Sequence, residues 1–388
     1  MDVKPQICLY FQVHQPYRLT PYSALDIGRH LPYFDSKTNA DILHRVADNC
    51  YLPANQALMN AIRQTDGAFR VAFSISGSLI DQLEILRPDV IRSFQQLAET
   101  GSVEFLAETH HHSLSFLYSR EEFFRQVIQH KEKIWGHFRQ DPQVFRNTEL
   151  IYSNPMAWFV RQMGFKGMLA EGVGHHLHGR SANYLYAAPH IDRFAVLLRN
   201  AGLSDDMGFR FSDQGNADQY AAKVLESGGE VMNLFLDYES FGEHQSAASG
   251  IMGFLEALPM AIIRQGGSFG LPTEIATSLT AHPHYDVPEF TSWADASRDL
   301  SPWLNNDMQK EALEKVYELQ QVVMDTHRED LMETWSRLQS SDHFYYMSTK
   351  GGPDGEVHAH FRPYARPFDA YMAFMNVISD FQLTLREC

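Results

Sequence analysis

The chain has 388 residues, 44% hydrophobic and 21% charged, which suits one large domain or a barrel with a helical appendage and excludes a globally disordered polymer. Its 32 basic against 48 acidic side chains leave a formal charge of −16, so nucleic acid and anionic membranes are poor partners while a neutral substrate is compatible. Cys8, Cys50 and Cys388 are far apart and form no CxxC, which argues against a disulfide framework or structural zinc, and the lack of a signal-like or bilayer-length apolar run predicts a soluble, cytoplasmic protein.

In chain order, short apolar runs predict buried strands at Ile7–Val13, Arg70–Ile75, Val103–Leu106, Gly167–Ala170, Phe194–Arg199, Val231–Leu236 and Ser268–Leu271. Longer periodic stretches predict helices between them, among them Leu79–Glu99, Glu121–Arg139, Ala217–Glu226 and Met252–Gln265. Such alternation indicates βαβ units and a parallel sheet. Seven or so repeats suit a closed or nearly closed barrel better than an open sheet. After Thr273 the character changes: residues 275–307 are loop-like, and Asp307–Gln339 and Pro367–Leu385 carry helical patterns that fit a C-terminal bundle. KGGPDGEVH between them reads as a turn-rich loop. We therefore expect a catalytic barrel over residues 1–275, followed over 276–388 by an active-site loop region and helices.

In parallel α/β folds the reactive groups gather at the carboxyl ends of the strands. Here each apolar run leads into a polar cluster: His14 and Gln15; Ser76; Glu108 and His110–His112; Arg146–Glu149 after Val144; Glu171; Asp237, Glu239, Glu243 and His244; Thr273 and Glu274. Each has an ordinary explanation. A lone histidine is more often a satisfied loop residue, Glu149 could cap a helix, and an acidic turn is usually solvated. All of these would have to hold together, which is less expected than one shared barrel mouth. The His triplet could bind metal, yet adjacent residues of an extended chain point to opposite faces, so at most two converge.

Two carboxylates in one cleft suit glycoside hydrolysis, where one attacks the anomeric carbon and the other protonates the leaving oxygen. Their pKa values must be split; Arg146, if it turns the same way, would hold Glu149 ionised, and like-charge repulsion from Glu239 and Glu243 would raise Asp237. A composition with 26 Phe, 17 Tyr and 5 Trp leans the same way once core aromatics are discounted, because sugar rings bind aromatic platforms. Spacing alone does not single out this pair from the several carboxylates.

FQVHQPYRL, GSVEFLAETHHHSLSF, FRNTELIYSN, LFLDYESFGEHQ and SWADASRDLSPWLNNDMQ resemble, in order, the five sequence regions of family-57 glycoside hydrolases, with the closest likeness to the α-amylase-like branch. The resemblance implies an α/β fold, an incomplete (β/α)7 barrel followed by a C-terminal helical region, with a retaining mechanism on α-1,4-glucans and neither a catalytic metal nor another cofactor. It places the nucleophile at Glu149 and the acid/base at Asp237, and matches His14, Glu104, His112, Glu239 and Trp293 to substrate-binding or site-supporting positions. A retaining pair should stand roughly 5–5.5 Å apart. Tyr17 is a weaker aromatic candidate beside Trp293. The sequence departs from the family pattern at His110 and His111, where aromatics are expected, and in its shorter C-terminal region.

Within the same family, 4-α-glucan transfer or branching would use the same covalent intermediate. Outside it, a metal-dependent polysaccharide deacetylase or zinc glycosidase would recruit His14, Asp237, His110 and His112 as ligands. A non-catalytic glucan-binding protein is the third alternative, against which the sequence offers only its retained Glu149 and Asp237.

Overall fold

The computed structural model describes residues 4–278 and 282–387; Cys388 lies outside them. Seven parallel strands form one curled ribbon: β1 Gln6–Val13, β2 Val71–Ile75, β3 Val103–Phe105, β4 Val144–Arg146, β5 Gly167–Glu171, β7 Ala195–Arg199 and β8 Val231–Asp237. Their order is β3-β2-β1-β8-β7-β5-β4, with the two-residue strands β6 (Tyr186–Ala187) on β7 and β9 (Ser268–Phe269) on β1. The outer strands meet at one bridge just past β3, where Ala107 pairs with Phe145 and Arg146 N–H donates to Ala107 O at 2.8 Å. On the opposite side β7 and β8 share the single pair Arg199–Asn233. Side chains complete that seam: Asn233 Nδ2 donates to Leu198 O at 2.9 Å and Arg199 Nε to Phe235 O at 2.8 Å. Buried backbone carbonyls are thereby satisfied where the ladder is thin.

The strand patterns explain the layers. Along β1, Ile7, Leu9, Phe11 and Val13 join the large outer core shared with the helices, while Cys8 and Tyr10 face a smaller interior cluster with Ala72, Leu169, Leu197 and Phe235. Both faces are buried, so the strands read as continuous apolar runs rather than alternating ones. The helix Pro272–Thr277 closes the amino-terminal end, placing Ile275 and Ala276 inside the barrel. The long C-terminal helix Pro367–Arg386 and its neighbours build a third core around Trp303, Trp335 and Phe381.

Several boundaries differ from the sequence expectation, each for a local reason. The stretch 79–99 is two helices, Gly77–Leu86 and Pro88–Glu99, because Pro88 lacks an N–H and Arg87 before it is driven out of the helical region, to φ −143° and ψ 61°. Between β1 and β2 lie the helices Ser36–Val46 and Leu52–Gln64, joined through a π-helical turn at Ala47–Tyr51. The stretch 307–339 divides into Asp307–Glu318, Gln320–Asp325 and Glu329–Arg337, with left-handed His327 (φ 51°) at the last break. KGGPDGEVH is not a loop: Gly352–Phe361 is a helix with Pro353 in its first turn, where a missing N–H costs nothing. The seventh ribbon strand is Val144–Arg146, whereas Ser268–Phe269 only extends the start of β1. Thr273 and Glu274 accordingly sit at the closed end, away from the mouth. No helix among the described residues is long and apolar enough to cross a membrane.

Gly77 opens its helix against the fully buried His110 ring, and a Cβ there would fall well inside van der Waals contact with that ring. Gly77→Ala should therefore lower stability by about 1–3 kcal/mol as an overpacked site. The urea midpoint measures this; an unchanged midpoint would show that the His110 ring moves freely.

Candidate active site

At the carboxyl end of the ribbon a cavity of about 480 Å³ is lined by His14, His112, Arg146, Glu149, Asp237, Glu239, Trp293 and Asp342. Of the seven residues that the family resemblance marks, six line this cavity and Glu104 does not. Its carboxylate points into the barrel nearer the closed end, where it accepts from Thr273 N at 3.0 Å and from Thr273 Oγ1 at 2.5 Å. It holds the closing helix rather than lining the cavity.

Glu149 follows β4 in a tight turn, Thr148–Leu150, with φ 58° at Glu149 and 50° at Leu150. Left-handed backbone costs a non-glycine residue of order 1–3 kcal/mol. The turn is held by the neighbouring loop: Trp293 N–H donates to Glu149 O at 3.2 Å, and Trp293 Nε1 to Glu149 Oε2 at 2.7 Å. The other carboxylate oxygen faces His112 Nε2 at 3.4 Å, while His112 Nδ1 meets Glu108 Oε2 at 2.9 Å. A carboxylate at each nitrogen favours the doubly protonated ring. Burial pulls the His112 pKa down, yet the bonds to Glu108 and Glu149 outweigh it and raise the value to about 9. Unit charges ~4 Å apart attract by about 4 kcal/mol at an effective dielectric of ~20, enough to offset a moderate desolvation cost.

Glu108 is itself placed by backbone. Its N–H donates to His130 Nδ1 at 3.2 Å, and His130 Nε2 donates to Ile75 O at 2.8 Å, which fixes a neutral tautomer. Gln12 Nε2 donates to Glu108 Oε1 at 3.1 Å, and the Gln12 amide oxygen accepts from Tyr10 and Ser74 hydroxyls at 2.8 and 2.7 Å. A polar layer thus floors the cavity above the apolar barrel interior.

Around this floor the two carboxylates differ. Burial alone would raise Glu149, but the His112 hydrogen bond and charge, the Arg146 charge and the Trp293 bond hold its pKa below the usual value. Asp237, ending β8, has no comparable cation at contact. Burial first and the Glu149 charge second push it up to about 6, against the attraction of Arg146, Arg199 and His112. Glu239, in the next turn, accepts from Tyr51 Oη at 2.6 Å and from His14 N at 3.3 Å, and burial raises it to about 8. Tyr51 comes from the π-helical turn.

His14 stacks on His112 with ring centroids 4.1 Å apart. Its Nε2 donates to Asp342 Oδ2 at 3.0 Å and its Nδ1 accepts from Ser76 Oγ at 2.7 Å. Burial and the adjacent His112 cation lower its pKa, so the stack pairs one cation with one neutral ring. Asp342 belongs to the C-terminal helices and was not singled out from the sequence. Nothing in SSDHFYYM marks it, because a lone acid in a helical stretch normally faces water. Arg199 was also missed as a site residue; with Arg146 it lies over the Trp293 ring, at 5.5 and 5.0 Å. Trp293 is therefore engaged by two guanidiniums and by Glu149. Tyr17 stands elsewhere, beneath Arg337 in a second cavity. His110 and His111 turn away: His110 Nε2 meets Asp81 at 3.0 Å and His111 Nδ1 meets Ser78 Oγ at 3.0 Å. The metal set of His14, Asp237, His110 and His112 thus does not converge.

The glycosyl hydrolase family 57 model matches residues 8–288. A Methanocaldococcus jannaschii protein named "Putative alpha-amylase" is 37% identical, over 98% of this chain and 85% of its own length. Among solved structures, a branching enzyme from Pyrococcus horikoshii superposes with a TM-score of 0.70 at 12% identity, covering 92% of this chain and 87% of that one. A 4-alpha-glucanotransferase from Thermococcus litoralis gives 0.62 at 16% identity, covering 89% of this chain, which spans only about half (51%) of that longer protein. These likenesses carry the fold: an α/β, seven-stranded parallel curled barrel followed by a helical C-terminal region. The family match across most of the chain, together with the relative at 37% identity, makes this protein a member of glycosyl hydrolase family 57.

Proposed function

We propose that the protein is a retaining hydrolase of α-1,4-glucans, α-amylase-like, with Glu149 as nucleophile and Asp237 as acid/base. The observation that carries this reading is the split ionisation of two carboxylates on one cavity, one held low by cations and one raised to about 6. Glu149 attacks the anomeric carbon as Asp237 gives its proton to the departing glycosidic oxygen, leaving a glycosyl ester on Glu149. Asp237 then takes a proton from water, whose oxygen attacks the same carbon and releases Glu149. Two inversions give net retention. His14, His112, Glu239 and Trp293 support this pair, and Arg146 joins them. The C-terminal region, residues 276–388, is part of the site through Trp293 and Asp342. In transfer or branching a sugar hydroxyl would replace the water, and the product profile on maltoheptaose and soluble starch separates these outcomes.

Glu149→Ala should lower kcat on starch by several orders of magnitude while the folded protein's Tm holds, and azide should restore activity as a β-glycosyl azide. Wild-type turnover in this variant would remove Glu149 from the mechanism.

Activity requires Glu149 ionised and Asp237 protonated. The kcat/KM profile should fall on the alkaline side near the Asp237 value of about 6, and on the acid side below the ordinary glutamate range. Asp237→Asn should cripple starch hydrolysis and abolish the alkaline limb, yet spare the first step with a glycosyl fluoride. An alkaline limb that persists in Asp237→Asn assigns it to another group.

Trp293→Phe keeps an aromatic face and removes the donor to Glu149. A hydrogen bond to a charged group is worth about 1.5–3 kcal/mol, so kcat/KM should fall roughly tenfold to a hundredfold. The nucleophile's pKa should rise, moving the acid limb to higher pH. A raised KM with an unmoved acid limb would instead restore Trp293 to the role of sugar platform.

A further inference from the structure

The cavity that holds the two carboxylates is also lined by an apolar wall of Phe209, Val357 and Phe361, which are 58%, 47% and 43% exposed. Scattered exposed apolar side chains are ordinary. These three come from two segments 148 positions apart (209 and 357) and line the same cavity as Glu149 and Asp237.

Both segments are fastened to the end of β8 that carries Asp237. Phe209 follows the helix Ala201–Gly208, whose last residue lies against Leu236: a Cβ on Gly208 would stand 3.3 Å from Leu236 Cδ2. Gln245 Nε2, beyond the Asp237 turn, donates to Gly208 O and Phe209 O at 3.4 Å. His244 beside it meets the Phe361 ring edge-to-face at 5.4 Å. The helix Gly352–Phe361 is clamped from below by Asp295, which binds Lys350 Nζ at 2.7 Å and His358 Nε2 at 3.1 Å. Asp295 lies two residues beyond Trp293, so the loop that holds the nucleophile also holds the wall. Through Leu236, His244 and Gln245 the wall is tied to the segment that carries Asp237.

We propose that Phe209, Val357 and Phe361 form a subsite for the glucosyl units on the leaving-group side of the scissile bond, and for the acceptor sugar when one replaces water. This rests on the glycosidase reading of the same carboxylates. The acid/base protonates the oxygen that joins the departing sugar, so that sugar must lie beside Asp237. A pyranose offers an apolar C–H face and a polar edge. Phe rings take the first, while the second stays with water and rim groups such as His244.

The test uses Phe209→Ala and Phe361→Ala with maltoheptaose and with α-maltosyl fluoride, whose leaving group is not a sugar. Each variant should lose about tenfold or more in kcat/KM on maltoheptaose, as expected for one apolar contact removed. Fluoride hydrolysis should stay within about twofold of wild type, because no contact to the donor sugar is lost. Transfer to added maltose should fall relative to hydrolysis, and Phe361→Trp should retain maltoheptaose activity. Equal losses on both substrates, or no loss on maltoheptaose, overturn the subsite while the catalytic assignment stands. A wild-type protein inert to both substrates overturns the glycosidase reading and the subsite with it.

Discussion

The site depends on one imidazolium between two carboxylates. His112 has Glu108 at one nitrogen and Glu149 at the other, so a buried positive charge is enforced by geometry. Remove Glu108 and the ring has no second anion to justify its second proton. Glu149 would then lose its nearest cation and drift upward under burial, as Asp237 does. The difference between the two cavity carboxylates therefore rests first on the placement of this cation, to which the Arg146 charge and the Trp293 bond add. The floor residues Gln12, Tyr10 and Ser74, and the tautomer of His130, serve to keep Glu108 where that cation needs it.

This requirement explains why distant parts of the chain meet. Beside a cationic ring, His14 is favoured neutral, and its remaining N–H then needs an acceptor. Asp342 provides it, and burial of that aspartate is outweighed by the charge and hydrogen bond of His14, then by the His112 charge and the Ser340 bond, which hold its pKa well below the usual carboxylate range. Trp293 answers the other need, a donor for the second Glu149 oxygen that brings no further charge. Both residues lie after position 275, beyond the ribbon strands. The chain beyond the ribbon thus does more than shield the barrel: its helices supply the carboxylate, and the loop before them the indole, that the strand ends lack.

How much of this could be read in advance follows from the range of the forces involved. Strand runs such as Val231–Leu236 are set by local burial pattern, and their polar endings are adjacent in sequence, so the mouth was legible as a set of strand-end clusters. The motif FRNTELIYSN located Glu149, although nothing in it reveals the left-handed turn, which is stabilised by Trp293 from 144 positions away. Asp342 was illegible for the same reason: its partner His14 is 328 positions away. His110 and His111 show the converse. Their neighbours in the motif suggested a role at the mouth, yet after the backbone turns at His112 (φ 52°) only Glu108 and His112 of that segment reach the floor. KGGPDGEVH misled through composition, since glycine and proline suit the first turn of a helix as well as a loop.

Glu104 shows why burial alone does not make a catalytic carboxylate. It is as shielded as Asp237, and desolvation raises it to about 7, so by ionisation alone it would pass for a general acid. Its two oxygens, however, are taken by the backbone and hydroxyl of Thr273, and it lies at the end of the barrel closed by Pro272–Thr277. A carboxyl held there has no path to a substrate in the cavity at the other end of the ribbon. Asp237 carries a similar upward shift at the open end, with the ionised Glu149 as one of its causes. In the proposed double displacement, ester formation on Glu149 would remove that charge, and the same physics would lower the Asp237 pKa just as Asp237 gave up its proton. Hydrolysis of the ester would raise it again. Under the proposed mechanism, this coupling of Asp237 to a carboxylate whose charge comes and goes would let one aspartate act first as acid and then as base, whereas the Glu274 charge near Glu104 stays constant.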